Sequence, residues 1–204
     1  LVQYGSLRKV VGENEQAFSV LDRAVQRYND GLVFSSEDVA MVAMASWLLG
    51  NFHDANSLFD EATRANPNNL EAHTLWADLF LEKYNAADAE RGYQDALDLN
   101  GRHVPALVGM ARLVGDERSL QRALAINPNS ILALETYGQL LMMNGREDEA
   151  QEYFRQVLAL NPESLKTLSV LAAKAALEER MSAYEDYRQQ VEAFSPDNAE
   201  FLGH

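Results

Sequence analysis

Asn or Ser followed by Pro recurs along this chain at a nearly constant spacing. The phrase occurs four times: Asn66-Pro67, Asn127-Pro128, Asn161-Pro162 and Ser195-Pro196. The last three of these prolines are 34 residues apart, and Gly101 stands 34 residues after Pro67 and 27 before Pro128. The chain is 204 residues long, which is six times 34. Because a fixed period of this size is typical of repeat architectures, the sequence predicts a stack of similar repeats.

Each repeat contains two stretches with the periodicity of an amphipathic helix, as Ser36–Asn69 illustrates. Small and apolar residues mark one face of a first helix: Val39, Val42, Ala43 and Ser46. A second face follows: Ala55, Leu58, Phe59 and Ala62. Gly50 separates the two stretches, and Asn66-Pro67 ends the second because proline cannot continue a helix interior. The sequence therefore predicts a helix–turn–helix hairpin in each repeat.

Small residues occupy fixed positions when each repeat is numbered from its first residue, with Leu1 at position 4. Position 8 is Gly or Ala in all six repeats: Gly5, Ala43, Ala77, Ala111, Gly138 and Ala172. Positions 20 and 27 are Ala in four repeats each: Ala17, Ala55, Ala89 and Ala150, then Ala24, Ala62, Ala96 and Ala123. Position 24 is large in five: Leu21, Phe59, Tyr93, Leu120 and Phe154. Small side chains let two helices approach closely, and the large ones fill the remaining space.

This pattern, with proline at position 32, resembles the tetratricopeptide repeat (TPR) over nearly the whole chain. Residues 131–164 carry the most complete set of its features: Tyr137-Gly138, Asn144-Gly145, Ala150, Phe154 and Asn161-Pro162. The resemblance implies an all-α fold, a single right-handed α-solenoid of about six helix–turn–helix repeats over residues 1–204. The expected repeats are 1–31, 36–69, 70–103, a shortened fourth at 104–130, 131–164 and 165–198, with 199–204 as a further helix start or a tail.

Two places interrupt the regular spacing. Gly31–Ser35 adds about four residues between repeats one and two, and we expect a surface loop there, closed by Ser35 or Ser36 as a helix N-cap. Repeat four lacks seven residues between Val114 and Gly115. We expect two helices of about three turns there, joined tightly at Gly115-Asp116. The deletion is either tolerated or a deliberate bend, and both interpretations predict a local change of curvature.

Repeat six and the two chain ends depart from the pattern. Repeat six carries Tyr184, Arg188 and Val191 where Ala, an apolar residue and Ala are expected, and repeat five has Val157 at position 27. The chain begins part-way into a first helix, and Ala199–His204 begins another without completing it. We expect a longer parent protein, with Phe201 and Leu202 folding back over the last helix.

Charge and composition narrow the classes of partner. The chain has 17 Lys and Arg against 31 Asp and Glu, a net charge of −14 spread along its length. This charge disfavours nucleic acids and anionic lipid surfaces. No apolar run is long enough to span a membrane, so membrane insertion is not expected.

No motif in the sequence predicts catalysis or a bound cofactor. The chain has no cysteine, and its histidines, His53, His73, His103 and His204, lack the spacing of a zinc site. We expect His53 and His103 to be solvated near turns. Acidic clusters such as Glu147-Asp148-Glu149 lack calcium-loop spacing, and no phosphate-binding or nucleophile motif occurs. The sequence therefore favours a non-enzymatic protein without metal or cofactor.

The TPR resemblance implies that positions 2, 5, 9, 12 and 13 of the first helices line a concave groove. The residues of this chain predicted to bind a peptide there are Met44, Trp47, Leu48, Thr74, Asp78, Leu81, Glu82, Arg112, Glu135, Gln139, Met142 and Met143. Methionine adapts to varied apolar partners, and tryptophan is a frequent anchor in interfaces. The alternative is that Met44 and Trp47 fill a core between repeats. Met142 and Met143 are adjacent, so both cannot face one narrow core.

The groove residues also predict what kind of segment would bind. One TPR subclass holds a peptide's terminal carboxylate with Lys and Asn at positions 5 and 9 and basic residues at positions 2 and 6. In this chain positions 5 and 9 hold Ala40 and Met44 in repeat two, and Thr74 and Asp78 in repeat three. Only Lys166 is a basic match at position 2. We therefore expect an apolar or basic protein segment rather than an acidic tail.

Two other functions remain open from the sequence. The stretches 75–85, 104–110 and 165–175 resemble bacterial TPR proteins whose repeats precede a gluzincin-type metallopeptidase domain, although no zinc ligand of such a domain is present. In that interpretation the chain is an accessory region of a larger enzyme. The unfinished ends suggest a third function, self-association of the solenoid.

Overall fold

The computed structural model describes residues 1–10 and 12–195, and α-helices are the only regular secondary structure within them. Twelve α-helices follow one another there, with no strand. They are α1 (Val2–Val10), α2 (Asn14–Asn29), α3 (Ser36–Leu48), α4 (Phe52–Ala65), α5 (Leu70–Glu82), α6 (Ala86–Leu99), α7 (Val104–Val114), α8 (Glu117–Ile126), α9 (Ile131–Met143), α10 (Glu147–Leu160), α11 (Leu165–Leu177) and α12 (Met181–Phe194). The all-α fold predicted from the sequence is confirmed.

Contacts divide the chain into two compact units. The first unit comprises Leu1–Lys9 and Asn14–Pro128, and the second comprises Val10–Glu13 and Asn129–His204. In the first unit α3 pairs with α4, α5 with α6 and α7 with α8, and α2, α4 and α6 each also contact the first helix of the next repeat. In the second unit α9 pairs with α10, and α11 with α12. Each compact unit is thus built from helix–turn–helix hairpins.

The recurring Asn-Pro phrase ends the second helices. Asn66 and Asn161 are C-caps with extended backbone, and each donates its own N–H to the carbonyl four residues earlier. Their side-chain oxygens then accept the backbone N–H two residues later, at 3.1 Å for Asn66 and 3.2 Å for Asn161. Asn100 does the same at 3.0 Å although Gly101 replaces the proline. The asparagine side chain thus provides an acceptor for a backbone N–H that has no helical partner in the turn.

The small residues create the close contacts predicted for them. A Cβ added to Gly138 would lie 2.6 Å from Cε1 of Phe154, and one added to Gly5 would lie 2.7 Å from Cγ of Leu21. These pairs join positions 8 and 24 of one repeat. Alanines at positions 8, 20 and 27 are fully buried in repeats two and three: Ala43, Ala55, Ala62, Ala77, Ala89 and Ala96. In these repeats the close packing of the two helices therefore depends on the small residues.

Both interruptions of the spacing have the predicted form. Ser35 is the N-cap of α3, and its hydroxyl accepts the backbone N–H of Asp38 at 3.0 Å. Helices α7 and α8 have only 11 and 10 residues. Gly115 ends α7 in the left-handed conformation at φ 70°, and Asp116 caps α8. The shortened fourth repeat is confirmed.

Repeat six packs around residues that depart from the pattern. Val191 is buried with Leu168 and Ala172, and Tyr184 packs against this cluster. The expectations for Ala199–His204 fall outside the described residues. None of the described helices has both the length and the apolar character needed to cross a membrane.

Candidate functional site

The first helices of the first compact unit lie next to one another. Helix α3 contacts α5, and α5 contacts α7. They carry eight of the twelve residues predicted for the groove, and we call the surface that these eight form the first-helix face: Met44, Trp47, Leu48, Thr74, Asp78, Leu81, Glu82 and Arg112.

Trp47 is fixed in place by a residue of the next repeat. Its indole N–H donates a hydrogen bond to the Glu82 carboxylate at 2.9 Å, and its ring packs partly against the buried cluster of α3, α4 and α5. Glu82 keeps 48% of its side chain exposed. The sequence left open whether Trp47 is a core or a surface residue. In the structure it is half-buried, so part of the side chain packs in the core and part stays accessible.

Met44 and Leu48 lie on the same helix and line the boundary between repeats one and two. Both are half-buried and pack against the cluster of Val2, Leu21, Ala24 and Ala45. The Leu48 carbonyl also accepts a hydrogen bond from the Lys9 ammonium at 2.6 Å. These side chains therefore serve partly as core and leave part of their apolar surface accessible.

Asp78 binds two other helices at once. Its Oδ1 accepts the Tyr93 hydroxyl of α6 at 2.7 Å and Nη1 of Arg112 in α7 at 3.3 Å. Burial raises the pKa of the Asp78 carboxyl, while the bonds from Tyr93 and Arg112 oppose that rise. Burial, and next the charge of Asp78, raises the pKa of the Tyr93 phenol. Tyr93 therefore stays protonated and acts as a donor.

Leu81 and Thr74 differ in how much surface they offer. Leu81 is half-buried against the cluster that contains Ala77 and Tyr93. Thr74 is only 4% exposed, and its hydroxyl donates to the Leu70 carbonyl of its own helix at 2.8 Å. Thr74 thus offers a ligand almost no contact surface.

The other four predicted groove residues belong to the second compact unit. Glu135 is only 8% exposed, and its Oε1 accepts the hydroxyls of Ser164 at 2.6 Å and Thr167 at 3.2 Å. It therefore ties α9 to the start of α11. Gln139 and Met142 are half-buried, whereas Met143 is 84% exposed.

A cleft that the sequence analysis missed lies between α4, α5 and α6. It has a volume of about 720 Å³ and is lined by Trp76, Phe80, His73, Gly92, Arg64 and Arg91, among others. The Trp76 and Phe80 rings stack with centroids 5.4 Å apart, and the Trp76 indole N–H donates to Asn56 at 2.9 Å. We call it the aromatic cleft. Its size is within the range of about 300–1,000 Å³ found for ligand sites.

Among residues 1–10 and 12–195, no three His, Asp or Glu side chains come together in a metal-binding group. His53 is exposed, as expected. The expectation for His103 is wrong: it is half-buried before α7, its Nε2 is buried without a hydrogen-bond partner among the described residues, and burial lowers its pKa.

Comparison with known proteins agrees with this architecture. Residues 131–164 match the family model for the tetratricopeptide repeat. A tetratricopeptide repeat protein from Parabacteroides merdae superposes with a TM-score of 0.74 at 15% identity, covering 98% of this chain and 80% of that one. The fold is that of tetratricopeptide-repeat proteins.

Two further TPR structures extend the comparison. The thermophilic TPR protein TTC0263 of Thermus thermophilus gives a TM-score of 0.70 at 19% identity, covering 82% of this chain and 95% of that one. YrrB, described as a TPR protein with an unusual peptide-binding site, gives 0.50 at 16% identity, covering 89% and 95%. No curated protein matches the chain in sequence. At these identities the TPR likeness concerns the fold.

Proposed function

We propose that this chain is a non-catalytic scaffold whose first-helix face binds an apolar or basic protein segment. The observation that carries the proposal is the hydrogen bond that holds the Trp47 indole against Glu82, beside Met44 and Leu48. It presents an oriented aromatic ring together with a partly exposed carboxylate. TPR folds typically serve as non-catalytic scaffolds that bind proteins or peptides, and the YrrB structure supports a peptide ligand by analogy.

The charges on this face favour a basic ligand. Glu37 and Glu71 are exposed at position 2 of α3 and α5, and Glu82 is exposed at the end of α5, where the Lys83 ammonium lies 3.2 Å from its Oε1. Arg112 is the basic residue among the eight, and it is already paired with Asp78. A ligand with Lys or Arg near an apolar side chain would thus meet both the carboxylates and the Trp47 ring.

The second compact unit supplies an apolar surface of its own. Met143 is 84% exposed at the end of α9, and Leu177, one repeat later at the end of α11, is 86% exposed. Flexible apolar side chains of this kind suit a partner with its own apolar residues. We propose that they make a second, separate contact region for a protein segment.

Intrinsic fluorescence tests the proposal because the chain has only two tryptophans. Trp76→Phe leaves Trp47 as the sole reporter of the first-helix face. Three synthetic peptides of equal length serve as probes: alternating Lys-Leu, alternating Lys-Ser and alternating Glu-Leu. We expect the Lys-Leu peptide to shift the Trp47 emission at the lowest concentration, since it alone combines positive charge with apolar side chains.

Two charge-reversal variants separate a specific contact from general attraction. Glu82→Lys removes the carboxylate beside Trp47, whereas Glu90→Lys makes the same charge change at an exposed position of α6. We expect Glu82→Lys to weaken Lys-Leu binding about tenfold or more and Glu90→Lys to leave it nearly unchanged. Equal losses in both variants, or equal binding of all three peptides, would contradict the proposal.

The accessory-region interpretation stays a prediction. Under it, the first-helix face would present a protein substrate to a catalytic domain elsewhere in the parent protein. The complete reading frame tests this interpretation directly, because the interpretation requires a peptidase domain beside these repeats.

A further inference from the structure

The aromatic cleft exists because one repeat lacks a side chain that others have. Position 23 of the second helix is Gly92 in repeat three, whereas the other repeats have larger residues there: Val20, Leu58, Ser119, Tyr153 and Tyr187. Helix α6 also approaches α5 closely at Gly92, since a Cβ there would lie 2.9 Å from that of Ala77. The space beside Trp76 therefore receives no side chain from position 23.

Repeat five shows what occupies the equivalent space. There Tyr153, at position 23, packs against Tyr137, at position 7, with ring centroids 4.6 Å apart. In repeat three position 7 is Trp76, and its position-23 neighbour is Gly92. Phe80 already stacks on Trp76, so the comparison within this one chain indicates that the space left at Gly92 is where the aromatic cleft can accept a further aromatic ring.

The same chain carries a phenylalanine that is available for such a contact. Phe34 lies in the loop inserted between repeats one and two and is 86% exposed. Leu32, in the same loop, is 53% exposed. Exposing two large apolar residues on one short loop is unfavourable in water unless another surface covers them.

The loop is flanked by acidic residues, and two exposed arginines lie at the cleft. Asp30 and Glu37, both exposed, flank the loop. The side chains of Arg64 and Arg91 at the cleft are 78% and 72% exposed. Asp88 and Asp95 also line the cleft, but their side chains are less exposed, at 36% and 51%. Arg64 is ion-paired with Asp60 at 2.9 Å and Arg91 with Asp88 at 3.1 Å, yet both arginines stay more exposed than these carboxylates and are the charges that an approaching acidic loop meets first.

We infer that Phe34 of one copy of this protein inserts into the aromatic cleft of a second copy. The loop and the cleft are different surfaces, so the contact is heterologous: each added copy offers a new loop and a new cleft. One ring and one loop make a small interface, so the association is weak and reversible. It goes beyond the proposed binding of a protein segment at the first-helix face and does not depend on it.

Sedimentation equilibrium at protein concentrations up to millimolar tests the inference. The average mass of the unmodified protein should rise continuously with concentration. Phe34→Ser removes the ring from an exposed loop and should raise the apparent Kd about tenfold or more. Val114→Ser is the control, because Val114 is also an exposed apolar residue, at 61%, but lies outside every proposed contact surface, so association should be unchanged. A monomer at every concentration, or equal effects of the two variants, would overturn the inference.

A second pair of variants tests the cleft and the polarity of the contact. Thr63→Trp fills the cleft from α4, where the Thr63 hydroxyl bonds only to carbonyls of its own helix. Mixed with Phe34→Ser, it should form a dimer that grows no further, since each variant keeps one intact half of the contact. A mixture that stays monomeric or grows beyond a dimer contradicts the model. If Thr63→Trp does not fold, Arg64→Glu replaces it and should weaken self-association about tenfold.

Fluorescence distinguishes this contact from binding at the first-helix face. With Trp47→Phe the emission of Trp76 should change as the protein concentration rises, whereas with Trp76→Phe the emission of Trp47 should not. Phe34→Ser should still bind the Lys-Leu peptide at the first-helix face. A concentration-dependent change at Trp47 alone would place the contact elsewhere and overturn the inference.

Discussion

Trp47 donates its indole N–H to Glu82, 35 residues further along the chain, across a distance of 2.9 Å. Asp78 and Arg112, which are 34 residues apart, meet in the same way at 3.3 Å. Both pairs join a first helix to the next first helix, so the contacts across the first-helix face follow the period of the sequence. A face assembled in this way presents polar groups already held in position, and less conformational freedom is then lost on binding.

Removing the acceptor should release the Trp47 ring. In the Trp76→Phe background, we expect Glu82→Ala to change the Trp47 emission and to lower the free energy of unfolding by about 0.5–1.5 kcal/mol, the usual worth of one hydrogen bond. Glu82→Gln keeps a side-chain oxygen as acceptor and should lose less than half as much. Urea unfolding followed by fluorescence measures both quantities. Identical losses in the two variants would show that the hydrogen bond does not fix the ring.

Gly109 allows the Tyr93 ring to reach Asp78. A Cβ at residue 109 would lie 2.2 Å from Cε1 of Tyr93, and we expect Gly109→Ala to destabilise the protein by about 1–3 kcal/mol through overpacking. Gly101→Ala is the control, since its nearest contact would be an ordinary 3.7 Å. Thermal unfolding compares the two. A smaller loss for Gly109→Ala than for Gly101→Ala would contradict this packing.

The cap of α8 should make stability depend on pH. The Asp116 carboxylate accepts the backbone N–H groups of Arg118 at 3.0 Å and Ser119 at 3.2 Å, and the Ser119 hydroxyl at 2.7 Å. The Ser119 hydroxyl is the main reason that the pKa of Asp116 is lowered. A carboxyl whose pKa is lower in the folded state stabilises the fold above its unfolded pKa, and this contribution disappears as pH falls through the folded value.

Two substitutions separate the charge of Asp116 from its capping role. Asp116→Ala should cost about 0.5–2 kcal/mol at neutral pH, and the difference from the unmodified protein should shrink below about pH 4. Asp116→Asn keeps a capping oxygen and cannot titrate, so it should retain most of the stability without this pH dependence. Urea unfolding at a series of pH values provides the measurement. A loss for Asp116→Ala that is constant with pH would contradict the assignment.

The fold was predictable because it depends on side-chain size at fixed intervals. Ala43, Ala62, Ala77 and Ala96 recur at positions that the period selects, and all four are fully buried. Helix hairpins of this kind need only local contacts and close approach at small residues. The inserted loop and the shortened repeat were visible for the same reason, as departures from a regular spacing.

The chemistry of the first-helix face was less predictable, because it depends on contacts between repeats. Position 9 indicated that Asp78 lies on this face, but not that Tyr93 and Arg112 both bind it. In the second compact unit, position 5 likewise indicated Glu135 as a groove residue, but Glu135 is buried under the hydroxyls of Ser164, at the end of its own repeat, and Thr167, in the next. The aromatic cleft did leave a signal in the sequence, namely Gly92 at a position where the other repeats carry larger residues.

The turn between α5 and α6 contains a residue under backbone strain. Tyr84 has φ 58°, and its equivalents in repeats two and five are Gly50 and Gly145, at 87° and 73°. Its side chain packs against almost nothing, since it is 96% exposed. A left-handed conformation costs a residue with a Cβ roughly 1–2 kcal/mol, while glycine adopts it freely but loses more entropy on folding.

We therefore expect Tyr84→Gly to stabilise the protein by about 0.5–1 kcal/mol in thermal or urea unfolding. Gly50→Ala is the reverse experiment and should destabilise it by a similar amount or more. If Tyr84→Gly lowers the stability instead, the strain at this turn is smaller than the entropy that the tyrosine saves.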